Sequence, residues 1–303
     1  MRRVLVIGGS GFIGQWIVRR LLDEGCQVTV LQRRPTAEPL RGCVYVTAEG
    51  PLSEPQPYLR ALRVGRPDQV IHAFAMSGAD ARAAVSALVG KTGRFVVLSS
   101  GDVYLAYSRF IGLEPGPPEP SPLNVENSRL RARLFPYRMG DVEPGTLAYD
   151  YEKLLVEQAF RARRDLERVI LRLPKVYGPG RERPFEMLRR FAVAPQWRWT
   201  HGYVENVAAA ITLTATHPAA AGRIFNVGEP VTPTVAERLA HLPAEHAPPV
   251  RAQDYDFAQD LVYDTTPIRR ELGYVEPVSY EEGLRRLFDQ PEAIYRAEAA
   301  MAG

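Results

Sequence analysis

A chain of 303 residues, 46% hydrophobic and 24% charged, is long enough for one large α/β domain with a smaller companion lobe and has the balance of a globular protein. Its net charge of +3 is too small a surplus to suggest nucleic acid as a partner, and its apolar runs are strand-length, which excludes a membrane helix. Two cysteines, Cys26 and Cys43, provide neither a disulfide framework nor a metal spacing, and the five histidines add none, so no metal is expected and the cytoplasm is the expected compartment.

In chain order, residues 4–7 form a continuous apolar run, as in a parallel strand buried on both faces. The run enters Gly8 too soon for a signal-peptide core and is read as a first strand. Phe12, Ile13, Trp16, Ile17, Leu21 and Leu22 then recur at helical spacing. Strands are predicted over 27–31, 44–46, 69–74 and 94–98, with helices over 59–64 and 79–88 between them. This alternation implies right-handed βαβ units and a parallel sheet covered on both faces. From about 113 to 145 the chain turns rich in Pro, Glu and Arg without a period, an excursion read as a lid or a partly disordered insertion. A helix is predicted over 149–164, a strand over 169–173, helices near 184–191 and 204–216, a strand over 224–227, and helices near 267–272 and 280–288.

The first strand joins the first helix through Gly8-Gly9-Ser10-Gly11-Phe12-Ile13-Gly14. Glycines three apart permit a tight turn, close approach of a pyrophosphate and close packing of helix on strand, and the helix start offers free N–H groups. Gly8, Gly11, Phe12, Ile13 and Gly14 are therefore cofactor-binding candidates. The end of the second strand, where an NAD-binding chain commonly carries an acid, reads Gln32-Arg33-Arg34. Guanidiniums at Arg33 and Arg34 suit a 2′-phosphate, so NADP(H) is expected over NAD(H). The domain expected over 1–173 is thus a Rossmann-type doubly wound sheet, and 174–303 is mostly a smaller C-terminal substrate-binding lobe with segments returning to the sheet.

Tyr149 and Lys153 are four apart, which on one helix would set them on one face. An ammonium beside a phenol stabilises phenolate and suits the tyrosine to acid–base work near neutral pH. The chain has 35 Arg and only Lys91, Lys153 and Lys175 as lysines, so a lysine at this place is notable. At the end of the fifth strand, Ser99-Ser100-Gly101-Asp102-Val103-Tyr104 faces the crevice where ligands of such sheets bind. A serine there either binds the substrate oxygen or caps the strand.

Taken together, these segments resemble the extended short-chain dehydrogenases/reductases, the NAD-dependent epimerase/dehydratase group. The likeness also runs through Ile71-His72-Ala73, Leu171-Arg172-Leu173, Val176-Tyr177-Gly178-Pro179-Gly180, 202–208 and Phe225-Asn226-Val227-Gly228. The resemblance implies Ser100 as the active serine, Tyr149 as acid/base, Lys153 as its partner and a holder of the nicotinamide ribose, and Ala73 beside the cofactor. It also implies a small, polar, carbohydrate-like substrate and allows a homodimer.

Departures from the family pattern fall on the substrate side. Lys175 stands where the family commonly has Asn, and Trp199, next to Arg198, falls where nucleotide-sugar members carry Arg. Lys175, His201 and Tyr203 are candidate substrate contacts, the last two reading equally as core or surface residues, and Arg129, Arg131, Arg133 and Arg138 of the insertion could clamp an anion or lie solvated. Asp102, two residues after Ser100, is where family dehydratases place an acid, although it is equally a turn carboxylate. The expected activity is hydride transfer between nicotinamide and a hydroxyl or ketone. The alternatives are a dehydratase using Asp102 and a non-catalytic NADP-sensing or RNA-binding protein on the same fold.

Overall fold

The computed structural model describes residues 1–37, 39–134, 147–180 and 185–289. Its centre is a parallel sheet of seven strands: β1 (Arg3–Ile7), β2 (Gln27–Gln32), β3 (Cys43–Thr47), β4 (Gln69–His72), β5 (Arg94–Ser100), β6 (Arg168–Leu173) and, further along the chain, β9 (Ile224–Asn226). The order across the sheet is β3-β2-β1-β4-β5-β6-β9. Val4 to Ile7 and Phe95 to Leu98 are almost wholly buried, because helices cover both faces; this is why these strands read as unbroken apolar runs. Winding reverses between β1 and β4, and the crevice beyond their carboxyl ends is where this architecture binds ligands.

On one face, α1 (Phe12–Asp23) turns Ile17, Val18 and Leu21 inward against α8 (Val204–Thr216), and α10 (Thr266–Leu272) packs on α8 in the same core. The opposite face carries α2 (Gln56–Gly65), α3 (Gly78–Leu88) and α6 (Lys153–Arg161), with Tyr58, Leu88, Val156 and Phe160 in a second core. A third core gathers residues between 104 and 130 with residues from 177 onward. It contains α4 (Leu105–Phe110), α7 (Glu186–Arg190), α9 (Val235–Leu239), α11 (Tyr280–Asp289) and a small parallel pair, β7 (Lys175–Tyr177) with β8 (His201–Tyr203). Phe110 stacks on Trp197 at 4.5 Å, with Phe191, Tyr255 and Phe257 around them. No helix among the described residues is long and apolar enough to cross a membrane.

Two expectations are corrected. Residues 113–134, the described part of the excursion, are docked instead of forming a lid or a disordered segment. Leu123 exchanges backbone hydrogen bonds with Val262 and Asp264, and residues 129–131 pair with 103–105; residues 135–145 lie outside the described ones. The helix expected over 149–164 is broken into α5 (Leu147–Asp150) and α6. Glu152 takes an extended conformation (φ −154°, ψ 94°), gives its N–H to the Met76 carbonyl and caps α6 by accepting from Leu154 N at 2.8 Å. Tyr149 and Lys153 therefore do not share a helix face.

Candidate active site

The glycine turn is shaped by contacts that a side chain would break. Gly8 has φ +81°, and a Cβ there would meet the Phe74 Cβ at 2.7 Å; a Cβ on Gly14 would collide with the Gly8 carbonyl. Helix α1 begins at Gly11 without a side-chain cap or an acid in its first turn, unlike α3, which Ser77 and Asp80 close with a capping box. Uncapped N–H groups at a dipole's positive end suit a pyrophosphate. Phe12 and Ile13 pack partly into the core beneath, and Gly180 (φ +90°) passes over Phe12 and Gln15.

A cleft of about 480 Å³ opens from this turn, lined by Gly8, Gly11, Gln32, Arg33, Arg34 and Phe74 among others. The Arg33 guanidinium lies 4.3 Å from the Phe74 ring centre, and the exposed Arg34 follows it. Gln32 is buried, and its Oε1 has no hydrogen-bond partner among the described residues, which leaves an acceptor for a ribose hydroxyl at the wall of the cleft. These residues fit a dinucleotide. Ala73, whose N–H bonds the Ile7 carbonyl, sits one residue before Phe74 at the end of β4.

At the carboxyl end of β5 stands a turn that carries Ser100 and Asp102. Ser100 Oγ accepts from Asp102 N at 3.3 Å, so the serine does cap the turn. A Cβ on Gly101 would overlap the buried Tyr263 hydroxyl, which explains why no acid stands beside Asp102. Asp102 is buried, and its Oδ2 accepts from Tyr151 Oη at 2.8 Å. Lys153 opens α6 with its Nζ buried between the strand ends, donating to Ala75 O at 2.5 Å and Leu98 O at 3.0 Å. Burial lowers its pKa to about 8 against the opposing pull of Asp102, Asp80 and Glu157. Glu157 in turn accepts from Ser99 at 2.7 Å and pairs with the buried Arg172.

Ser100, Asp102 and Lys153 are thus brought together, while half-buried Tyr149 lies on α5, separated from Lys153 by the break. Lys175 places Nζ 5.5 Å from the Trp199 ring, and Trp199 meets His201 at 5.3 Å. His201 is fully buried, with Nδ1 2.7 Å from Trp199 O, and burial keeps its ring neutral. Tyr203 is buried against Gly283 and donates to Glu205 at 3.1 Å, which places it in the third core. Of the insertion arginines, Arg129 pairs with Glu119, Arg131 is wholly buried against Glu152, and Arg133 donates to Leu113 O; Arg138 lies outside the described residues. Among the described residues no cluster of His, Cys, Asp and Glu could hold a metal.

Sequence reasoning missed Tyr151, Glu152 and Tyr263, and it read Arg131 as an anion clamp or a solvated charge, not as a buried partner of Glu152. Only Tyr151 carried a signal, as a second tyrosine two places before Lys153.

The model of the NAD dependent epimerase/dehydratase family matches residues 4–92 and 139–228. The 2-alkyl-3-oxoalkanoate reductase of Stenotrophomonas maltophilia is 28% identical over 94% of this chain and 98% of its own. The fold is shared with a UDP-glucose 4-epimerase of Thermus thermophilus solved with NAD (TM-score 0.67, 21% identity, 96% and 98% of the chains). An epimerase from Methanothermobacter thermautotrophicus is also similar (TM-score 0.72, 21% identity, 100% and 95% of the chains). The chain belongs to the NAD dependent epimerase/dehydratase family and is an NAD(P)-dependent oxidoreductase or epimerase built on its Rossmann fold.

Proposed function

We propose that this protein transfers a hydride between NADP(H) and a hydroxyl or keto carbon of a small polar substrate. Ser100 orients the reacting oxygen, Tyr149 exchanges its proton, and Lys153 supports the Tyr149 phenolate and holds the nicotinamide ribose. The bound nicotinamide supplies or takes the hydride. The observation that carries the reading is the placing of Ser100 and Lys153 at the same strand ends as the uncapped glycine turn. Arg33 and Arg34 at the cleft wall favour the 2′-phosphate form.

For the substrate, a 3-oxo acid with an apolar body is supported by the wall beside Gly101. That wall offers Tyr263 and Trp199, the latter where nucleotide-sugar members carry Arg, with one ammonium, Lys175, over the Trp199 ring. The Stenotrophomonas relative acts, by its name, on a compound of this class. Self-association through surface helices belongs to the same reading and is checked by sedimentation.

The test is fluorescence titration with NADPH and NADH, followed by NADPH oxidation in the presence of 3-oxo acids or keto sugars. NADPH preference with turnover of either class supports the proposal. Tightly retained NAD with no net oxidation would replace it with an internal redox cycle, that of an epimerase.

A further inference from the structure

We propose that Arg131, delivered by the docked 113–134 arm, is a positioning residue that sets Lys153 and the Ser100–Asp102 turn against each other; the proposal rests on the reading of Ser100 and Lys153 as working groups. Its guanidinium bridges the segments that carry Ser100 and Lys153, with Nη1 also donating to the Arg133 carbonyl of its own arm. Nε donates to the Asp102 carbonyl at 3.0 Å, two residues from Ser100. Nη1 donates to Glu152 Oε2 at 3.0 Å and Nη2 to Glu152 Oε1, immediately before Lys153. Arg131 and Glu152 side chains are 0% and 2% exposed.

The circuit closes on the far side. Glu152 N bonds the Met76 carbonyl, its Oε1 caps Leu154 N, and Lys153 Nζ bonds the neighbouring Ala75 carbonyl. Arg131 itself is held by its N–H on Val103 O and by the Tyr104–Leu130 bridge. A buried ion pair gives little net stability relative to a packed apolar pair, because both charges lose water. What this pair supplies is geometry: a planar fork fixes two segments at once, and a lysine could not span both. The same pairing draws Glu152 out of helical conformation, so α6 begins at Lys153 and not upstream.

The test uses Arg131→Met, Glu152→Gln and the double variant, in the full chain. In the double variant no charge is stranded, so folding is retained. Its kcat should fall about 10- to 100-fold from misplacement alone, while KM and NADPH affinity stay within about threefold. Wild-type kcat in a folded double variant overturns the proposal. A double variant that does not fold overturns it too, since the pair would then be a folding element only.

A second readout needs no turnover. The chain has three lysines, so ε-¹³C-lysine NMR resolves each, and Lys153 is identified by its loss in Lys153→Met. Asp102, Asp80, Glu157 and the neutral His72 surround Lys153. Arg131→Met unpairs the carboxylate of Glu152, the residue before Lys153 in the chain, and should raise the titration midpoint from about 8; Glu152→Gln unpairs the Arg131 cation and should lower it. Loosening of the site would move both upward, towards an exposed lysine, and would overturn the proposal, as would no movement in either. If the wild type bound no nicotinamide, the functional reading would fail while this titration still decided the role of Arg131.

Discussion

The Tyr151 hydroxyl donates to Asp102 Oδ2 across 2.8 Å, which fastens the segment just before Lys153 to the turn just after Ser100. The Tyr151 ring also lies 5.6 Å from Lys153 Nζ, while Tyr149 stands two residues earlier on α5. The division of labour that follows is testable. Tyr149→Phe removes the proposed proton donor and should lower kcat by roughly 10²- to 10⁴-fold with cofactor affinity unchanged. Tyr151→Phe removes a buried hydrogen bond to a carboxylate and should cost about 1–3 kcal/mol of stability, with kcat reduced less than about tenfold. Steady-state kinetics and thermal melts on both variants decide. A large kcat loss in Tyr151→Phe alone would move the proton-exchanging role to Tyr151.

Gly101→Ala should be strongly destabilising, because its methyl would overlap the Tyr263 hydroxyl and ring carbons. Overpacking of this kind costs about 1–3 kcal/mol. Replacing Tyr263 as well, by Leu, opens the space and should return most of the loss in Tm. If the single variant melted like the wild type, the turn would not be held against Tyr263.

Much of the fold was legible because burial on both faces leaves a mark in the sequence. Residues 4–7 and 94–98 read as buried strands, and the glycine at 14 is required by a local contact, the Gly8 carbonyl six residues before it. The site was legible where its spacing is local, as in the run from Ser100 to Asp102. It was not legible where partners are distant. Arg131 is one arginine among 35, and nothing in its neighbours marks it as the one that is buried. The break at Glu152 comes from Arg131 and Met76, 21 and 76 residues away by number, against a local pattern that favours unbroken helix. His201 and Tyr203 read equally as cleft or core, and the pairing of β7 with β8 buried them.

Arg33→Ala should separate the two cofactors. The guanidinium stacks on Phe74 at the cleft wall, where it can meet a 2′-phosphate but has no counterpart on NADH. Charge-assisted contacts of this type contribute about 1.5–3 kcal/mol, so NADPH affinity should fall about 10- to 100-fold while NADH affinity hardly moves. Added salt should weaken NADPH binding more steeply in the wild type than in the variant. Equal losses for both nucleotides would mean that Arg33 shapes the cleft without reading the phosphate.

His72 makes acid a specific threat to this fold. It ends β4 fully buried, 5.9 Å from the Tyr58 ring, and neither ring nitrogen has a hydrogen-bond partner among the described residues. Burial, then the charge of Lys153, lowers its pKa from 6.5 to about 3. The unfolded chain therefore binds a proton near pH 6.5 that the folded chain refuses until about pH 3. The sign follows: stability is unaffected by this group above pH 6.5 and is lost as pH falls through that window, by of order 5 kcal/mol at its acid end. His72→Leu keeps a similar volume and removes both the titration and two unpaired polar atoms, so stability at pH 7 should not fall. Its acid-unfolding midpoint should shift to lower pH in circular dichroism titrations, with the slope between pH 6.5 and 3 reduced by about one proton. His201, also buried and neutral, should leave a residual slope of the same sign. An unchanged acid limb in His72→Leu would mean that His72 takes up its proton in the folded state near its ordinary pKa, which its burial without partners does not allow.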